Sequence, residues 1–124
     1  MTRQTARVLV VDDELPLASL LREFLRGSGH TPELASTGAA ALELVSASAP
    51  DVVLLDLSLP DTSGEVVLAQ LREIQPAVPV IVMTGYDAER AERLLAEGAF
   101  ATLTKPFNLQ HLTSVLDAAL ASRR

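Results

Sequence analysis

Four consecutive apolar residues, Val52-Val53-Leu54-Leu55, run straight into Asp56, and a similar run, Val8-Leu9-Val10-Val11, stops at Asp12-Asp13. Continuous β-branched and aliphatic runs this short predict strands covered on both faces, as in a parallel sheet with helices on each side. Val78 to Met83 is a third such run, with Thr84 and Gly85 at its end, and a shorter one from Phe100 to Leu103 leads to Thr104-Lys105-Pro106. His30 to Ala35 is weaker, interrupted by Pro32, and suits a sheet edge. Between these runs the period becomes helical. Leu17, Leu20, Leu21, Phe24 and Leu25 mark one helix, with Pro16 in its first turn and Gly27 or Gly29 past its last. Ser36 or Thr37 can cap an Ala-rich helix to about Ser48, with Leu42 and Val45 inward and Pro50 ending it. Leu57 to Gly64 reads as a loop, rich in turn formers. Val67, Leu71 and Ile74 stripe the next helix, closed by Pro76, and Asp87 can cap another through Ala91, Leu94 and Leu95 to Gly98. The last begins at Asn108 and carries Leu109, Leu112, Leu116, Ala119 and Leu120 on one face. Five strands alternating with five helices across short connections predict right-handed crossovers and a parallel α/β sheet.

Composition narrows this picture. A chain of 124 residues that is 48% hydrophobic suits one domain, with a core from about residue 7 to 121 and no room for a second. Sixteen acidic against ten basic residues give a net charge of -6, and the basic residues are scattered, which argues against direct nucleic-acid binding. Without cysteine there are neither disulfides nor thiolate metal sites, which fits a cytoplasmic location. The stretch Met1 to Arg7 leads into only four apolar residues, too short for a signal peptide or a membrane span. No membrane partner is expected.

The polar residues at the strand ends carry the chemistry. Asp12 and Asp13 follow the first strand, Asp56 the third, Thr84 the fourth and Lys105 the fifth, so a parallel sheet would gather all five at one edge. Three carboxylates so close repel unless a cation joins them, and an all-oxygen set without His or Cys favours a hard divalent ion, Mg2+ first. Mg2+ commonly shares its coordination with phosphate, which points to phosphoryl chemistry. One lysine can neutralise a transferred group as a point charge, a threonine hydroxyl can donate to its oxygens, and Gly85 keeps the approach open.

In these residues the chain resembles the receiver domains of bacterial response regulators in two-component signalling. The motifs are Val-Val-Asp-Asp-Glu at 10 to 14, Leu-Leu-Asp-Leu at 54 to 57 with Pro60 and Gly64, Met-Thr-Gly at 83 to 85 and Lys-Pro-Phe at 105 to 107; the likeness runs from Val8 to about Leu120. It implies a doubly wound, flavodoxin-like, five-stranded sheet of order 2-1-3-4-5 with five helices. It further implies that Asp56 is the phosphoacceptor, taking its phosphoryl group from a histidine kinase or phosphotransfer protein. Asp13, Asp56 and the backbone carbonyl of Ser58 match direct ligands of Mg2+, with Mn2+ as the alternative ion, and Asp12 matches a partner acting through metal-bound water. Thr84 matches a switch hydroxyl, Lys105 a cationic clamp, and Lys105-Pro106 a cis peptide bond. Such a domain is regulatory rather than an enzyme, although it assists its own phosphorylation and dephosphorylation. Its output passes to a downstream partner or a fused effector.

One position departs from the family pattern. Thr102 stands where a Tyr or Phe commonly sits, three residues before the lysine, so the aromatic half of the usual switch is missing. Phe100 shares its strand parity. Tyr86, two residues after Thr84, matches a position at the site entrance that influences phosphoryl lifetime. His30 and His111 fall away from the cluster, and Glu89, Arg90, Glu92 and Arg93 read as the solvated face of their helix. Two other functions compete with the signalling switch. A receiver-like interaction module that works without phosphorylation is motivated by Thr102. A Mg2+-dependent phosphohydrolase would place a second aspartate two residues after its nucleophile, where this chain has Ser58.

Overall fold

The computed structural model of the chain describes residues 5–85 and 87–122. Among them, strands β1 (Arg7–Val11), β2 (Thr31–Ala35), β3 (Val52–Asp56), β4 (Val80–Thr84) and β5 (Ala101–Thr104) alternate with helices. These helices are α1 (Leu15–Gly27), α2 (Gly38–Ala47), α3 (Gly64–Ile74), α4 (Ala88–Ala96) and α5 (Leu109–Ala121). Neighbouring strands pair in parallel in the order β2-β1-β3-β4-β5, the doubly wound arrangement expected, with Pro32 on the edge strand β2.

Alternation along each strand divides the core in two. On one face Val8, Val10, Val52, Leu54, Ile81 and Met83 pack with Leu21 and Leu25 of α1 and Leu112 and Leu116 of α5. On the other, Leu9, Val11, Val53, Leu55 and Val82 meet Val45 of α2, Val67 and Leu71 of α3 and Leu94 of α4. Each fully buried leucine contributes roughly 1.5–3 kcal/mol, so β1, β3 and β4, apolar towards both layers, anchor the molecule. Every residue of β3 is buried, including its terminal Asp56.

Some boundaries and stripes differ from those the pattern predicts. β4 starts at Val80 rather than Val78, because Pro79 has no N–H for a ladder and the N–H of Val78 already donates to Gln75 O at 3.1 Å in a turn. At its other end β4 takes in Thr84. β5 runs Ala101–Thr104, leaving Phe100 just outside it, and β2 begins at Thr31, since the N–H of His30 still donates to Leu25 O at 3.0 Å in the turn that closes α1. Leu20, Ile74 and Leu95 are 52%, 41% and 45% exposed, so their helices bury narrower arcs, and Leu68 completes the inner face of α3. The capping residues are Thr37, Ser63, Asp87 and Asn108, whose side chains accept from the N–H groups of Ala40, Val66, Arg90 and His111. Gly29 and Gly98, at φ 90° and 110°, turn the chain after α1 and α4. No helix among the described residues is long and apolar enough to cross a membrane.

Candidate functional site

The parallel sheet brings the ends of β1, β3, β4 and β5 to one edge, and there the sequence has placed its polar residues. Asp12 directly follows β1 and stays attached to the sheet, its N–H donating to Ala35 O at 3.0 Å. Asp56 ends β3 with the parity of Val52 and Leu54, towards the α1–α5 layer. Lys105 follows β5, its N–H donating to Thr84 O at 2.7 Å, and its peptide bond to Pro106 is cis.

Five residues anticipated for the site lie at this edge. Asp12, Asp56 and Thr84 are 3%, 2% and 3% exposed, whereas Asp13 is exposed. One carboxylate oxygen from each of Asp12, Asp13 and Asp56 lies within 4.8 Å of the others. Lys105 Nζ sits 3.2 Å from Asp56 Oδ1 and 3.4 Å from Glu14 Oε1. Ser58 N–H donates to Asp56 Oδ1 at 3.1 Å, and Glu14 N–H donates to Asp12 Oδ1 at 2.9 Å, so one oxygen of each buried aspartate is occupied. The second oxygens, Asp12 Oδ2 and Asp56 Oδ2, are buried with no hydrogen-bond partner among the described residues. Buried carboxylate oxygens are costly when unpaired, and two of them beside a third aspartate fit a hard divalent cation.

The electrostatics agree with a site short of positive charge. Burial pushes the Asp12 carboxyl up to about 6, the neighbouring charge of Asp56 adds to this, and the N–H of Glu14 and the charge of Lys105 oppose it. For Lys105, burial works against the charged form, but the carboxylates of Asp56, Asp12 and Glu14 outweigh it and hold the ammonium above its ordinary range. At Gly85 an added Cβ would meet nothing within 4 Å, so the approach beyond Thr84 is open.

The remaining anticipated residues fall into place unevenly. Thr102 lies on β5, half-buried and paired with Val82. Phe100 lines a hollow of about 350 Å³ with Arg72, Pro79 and Gly98, at the far end of β4 and β5 from Asp56. Tyr86 lies outside the described residues. His30 and His111 stay away from the edge, as expected.

Arg90 corrects the reading of its helix face as simply solvated. Its guanidinium holds Glu65 of α3 by two bonds, Nε to Oε2 at 2.5 Å and Nη2 to Oε1 at 2.7 Å, which tie α4 to α3. Glu14 beside Lys105 and Asp61 on the β3–α3 loop also went unmarked as site neighbours. Their long-range partners carry no local signal in the sequence. Asp61 Oδ1 and Oδ2 accept from the N–H groups of Gly38 and Ala39, at 2.9 and 3.0 Å.

Comparison with known proteins gives a consistent answer. The family model described as response regulator receiver domain matches residues 8–117. The transcriptional regulatory protein ZraR of Escherichia coli (strain K12) is 37% identical over 122 residues, covering 98% of this chain and 28% of that protein. The response regulator MprA of Mycobacterium ulcerans (strain Agy99) is 39% identical over 118 residues, covering 94% of this chain and 50% of that protein. Among solved structures, the receiver domain of NtrX from Brucella abortus superposes with a TM-score of 0.88 at 31% identity, covering 92% of this chain and 98% of that one. The chain thus spans between about a quarter and a half of the length of these two curated relatives.

Proposed function

The chain belongs to the response regulator receiver domain family, and from that membership we propose that Asp56 is the residue on which it receives a phosphoryl group from a histidine kinase or phosphotransfer protein. The observation that carries the assignment is the placement of Asp56: buried at the end of the central strand, 3.2 Å from Lys105 Nζ, within the cluster of Asp12 and Asp13.

Each residue has a part that its position supports. A carboxylate oxygen of Asp56 attacks phosphorus while the bond from phosphorus to the donor's imidazole nitrogen breaks, leaving an acyl phosphate on the aspartate. Lys105, held charged by its carboxylate neighbours, neutralises an oxygen of the transferring group. Thr84, buried at the end of β4, offers its hydroxyl to another, and the open space at Gly85 admits the donor. Asp13, Asp56 and the Ser58 carbonyl would hold Mg2+ directly, with Asp12 acting through a water; Mn2+ suits the same oxygens. When bound, the ion neutralises charge on the phosphoryl oxygens. The same groups that favour transfer from the donor favour transfer to water, so the domain assists both its phosphorylation and its dephosphorylation. Output is a change in partner binding, through a fused effector or a separate protein.

Beside Lys105 lies an apolar hollow of about 440 Å³, lined by Leu17, Leu20, Pro106 and Phe107. Incubation with acetyl phosphate and Mg2+, followed by intact-mass measurement, tests the assignment. One added phosphoryl group is expected on the wild type and none on Asp56→Asn. An unlabelled wild type would favour the interaction module that needs no phosphorylation.

A further inference from the structure

The loop between β3 and α3 carries Ser58, and it is fastened at several points. At its start, Ser58 N–H donates to Asp56 Oδ1 at 3.1 Å. Ser58 and Ser63 form an antiparallel bridge, and Gly64 N–H donates to Leu57 O at 3.1 Å, which closes the loop on itself. Gly64 packs so tightly that a Cβ there would stand 2.6 Å from the Leu57 Cα. These ties are internal. The loop's tip is fastened elsewhere: the Asp61 carboxylate takes the N–H groups of Gly38 and Ala39, in the first turn of α2.

That fastening suits both partners. The first N–H groups of a helix lack partners within it and lie at its positive end. Thr37 satisfies only the N–H of Ala40, leaving those of Gly38 and Ala39 to Asp61. These two bonds also hold the Asp61 carboxyl below its ordinary range. Packing reinforces the contact, since a Cβ on Gly38 would meet Thr62 Cγ2 at 2.6 Å and Val67 Cγ2 at 2.8 Å. The loop tip therefore rests directly on the start of α2, three residues along the chain from Ser58.

We infer that Asp61 is a positioning residue for cation binding: by pinning the loop tip to α2 it fixes where the backbone carbonyl of Ser58 is presented to the ion. This rests on the proposed reading of Asp13, Asp56 and Ser58 as ligands. Asp61 touches neither the ion nor the phosphoryl group. Its effect runs through the loop, as residues that orient metal ligands from outside the coordination sphere generally act.

Titration of the full chain with Mg2+, followed by amide chemical shifts, tests the inference on wild type, Asp61→Ala, Asp61→Asn and Thr37→Ala. Asp61→Ala is expected to weaken Mg2+ binding about tenfold and to speed amide hydrogen exchange in the loop. Asp61→Asn, which keeps one acceptor oxygen, should fall between it and the wild type and covers the case in which the alanine variant folds poorly. Thr37→Ala removes another cap of the same helix without touching the loop, and should bind Mg2+ as the wild type does. Wild-type affinity in both Asp61 variants overturns the inference, as does an equal loss in Thr37→Ala, which would trace the effect to fraying of α2. A wild type that binds no Mg2+ overturns the underlying ligand reading and the inference with it, a result distinct from a failure confined to Asp61.

Discussion

Asp12 is 3% exposed, with one oxygen taken by the N–H of Glu14 and the other unpartnered among the described residues. A second buried aspartate stands beside it, and one lysine answers for both. Without a divalent ion this arrangement opposes folding, because burial and like charge both penalise the carboxylate. Asp12→Asn keeps an acceptor for Glu14 and removes the charge. It should therefore raise the stability of the ion-free protein at pH 7 by about 1–2 kcal/mol, seen as a higher urea midpoint; a lower midpoint would show that the charge is already compensated. At this scale the sequence was legible where residue type and strand position agree, as for Asp12, Asp56, Thr84 and Lys105. It was silent where a partner comes from far along the chain. Nothing local to Asp61 points to Gly38, 23 residues earlier, and nothing local to Lys105 points to Glu14, 91 residues away.

Among the elements, α3 and α4 show the same division. Their capping residues Ser63 and Asp87 sit where side-chain oxygens reach the third N–H onward, and Asp87 was readable from its position alone. Apolar spacing gave the helices but not the width of their buried arcs, so Ile74 and Leu95, at the margins, stay less than half exposed instead of buried. The Glu65–Arg90 pair joins the two helices, with side chains 32% and 29% exposed. The hydrogen bond from Arg90 holds the Glu65 carboxyl below its ordinary 4.5. A carboxyl whose value is lowered on folding stabilises fully above its unfolded value and loses that contribution as pH falls through the folded one. Arg90→Ala should therefore cost about 0.5–1 kcal/mol at pH 7, after solvent screening of a partly exposed pair. That cost should shrink once Glu65 is protonated, in acid. Urea unfolding of wild type and variant at neutral and acidic pH checks this, and an equal loss at both would mean that Arg90 acts through packing instead.

For the molecule as a whole, the order β2-β1-β3-β4-β5 brings five residues from four separated stretches of sequence into one cluster, since the strands end at the same edge. Short apolar runs and helical stripes made the layers legible, and the order of the strands came from the family resemblance rather than from the pattern. Thr102 sets the expectation for signal transmission. It is half-buried on β5, and its short side chain cannot alternate between burial and exposure as a ring can. Beryllofluoride with Mg2+ should accordingly shift amides around Asp56 and Thr84 while leaving Ala101 to Leu103 and the end of α5 near their resting positions; large shifts there would show another route across the sheet. The claim on which the rest depends is that Asp56 is the phosphoacceptor. Borohydride converts an aspartyl phosphate to homoserine, so treating the acetyl phosphate-labelled chain with it and sequencing the peptides by mass spectrometry locates the acyl phosphate. Homoserine at position 56 alone is the expected result, and conversion at Asp12, at Asp13 or at no position would contradict it.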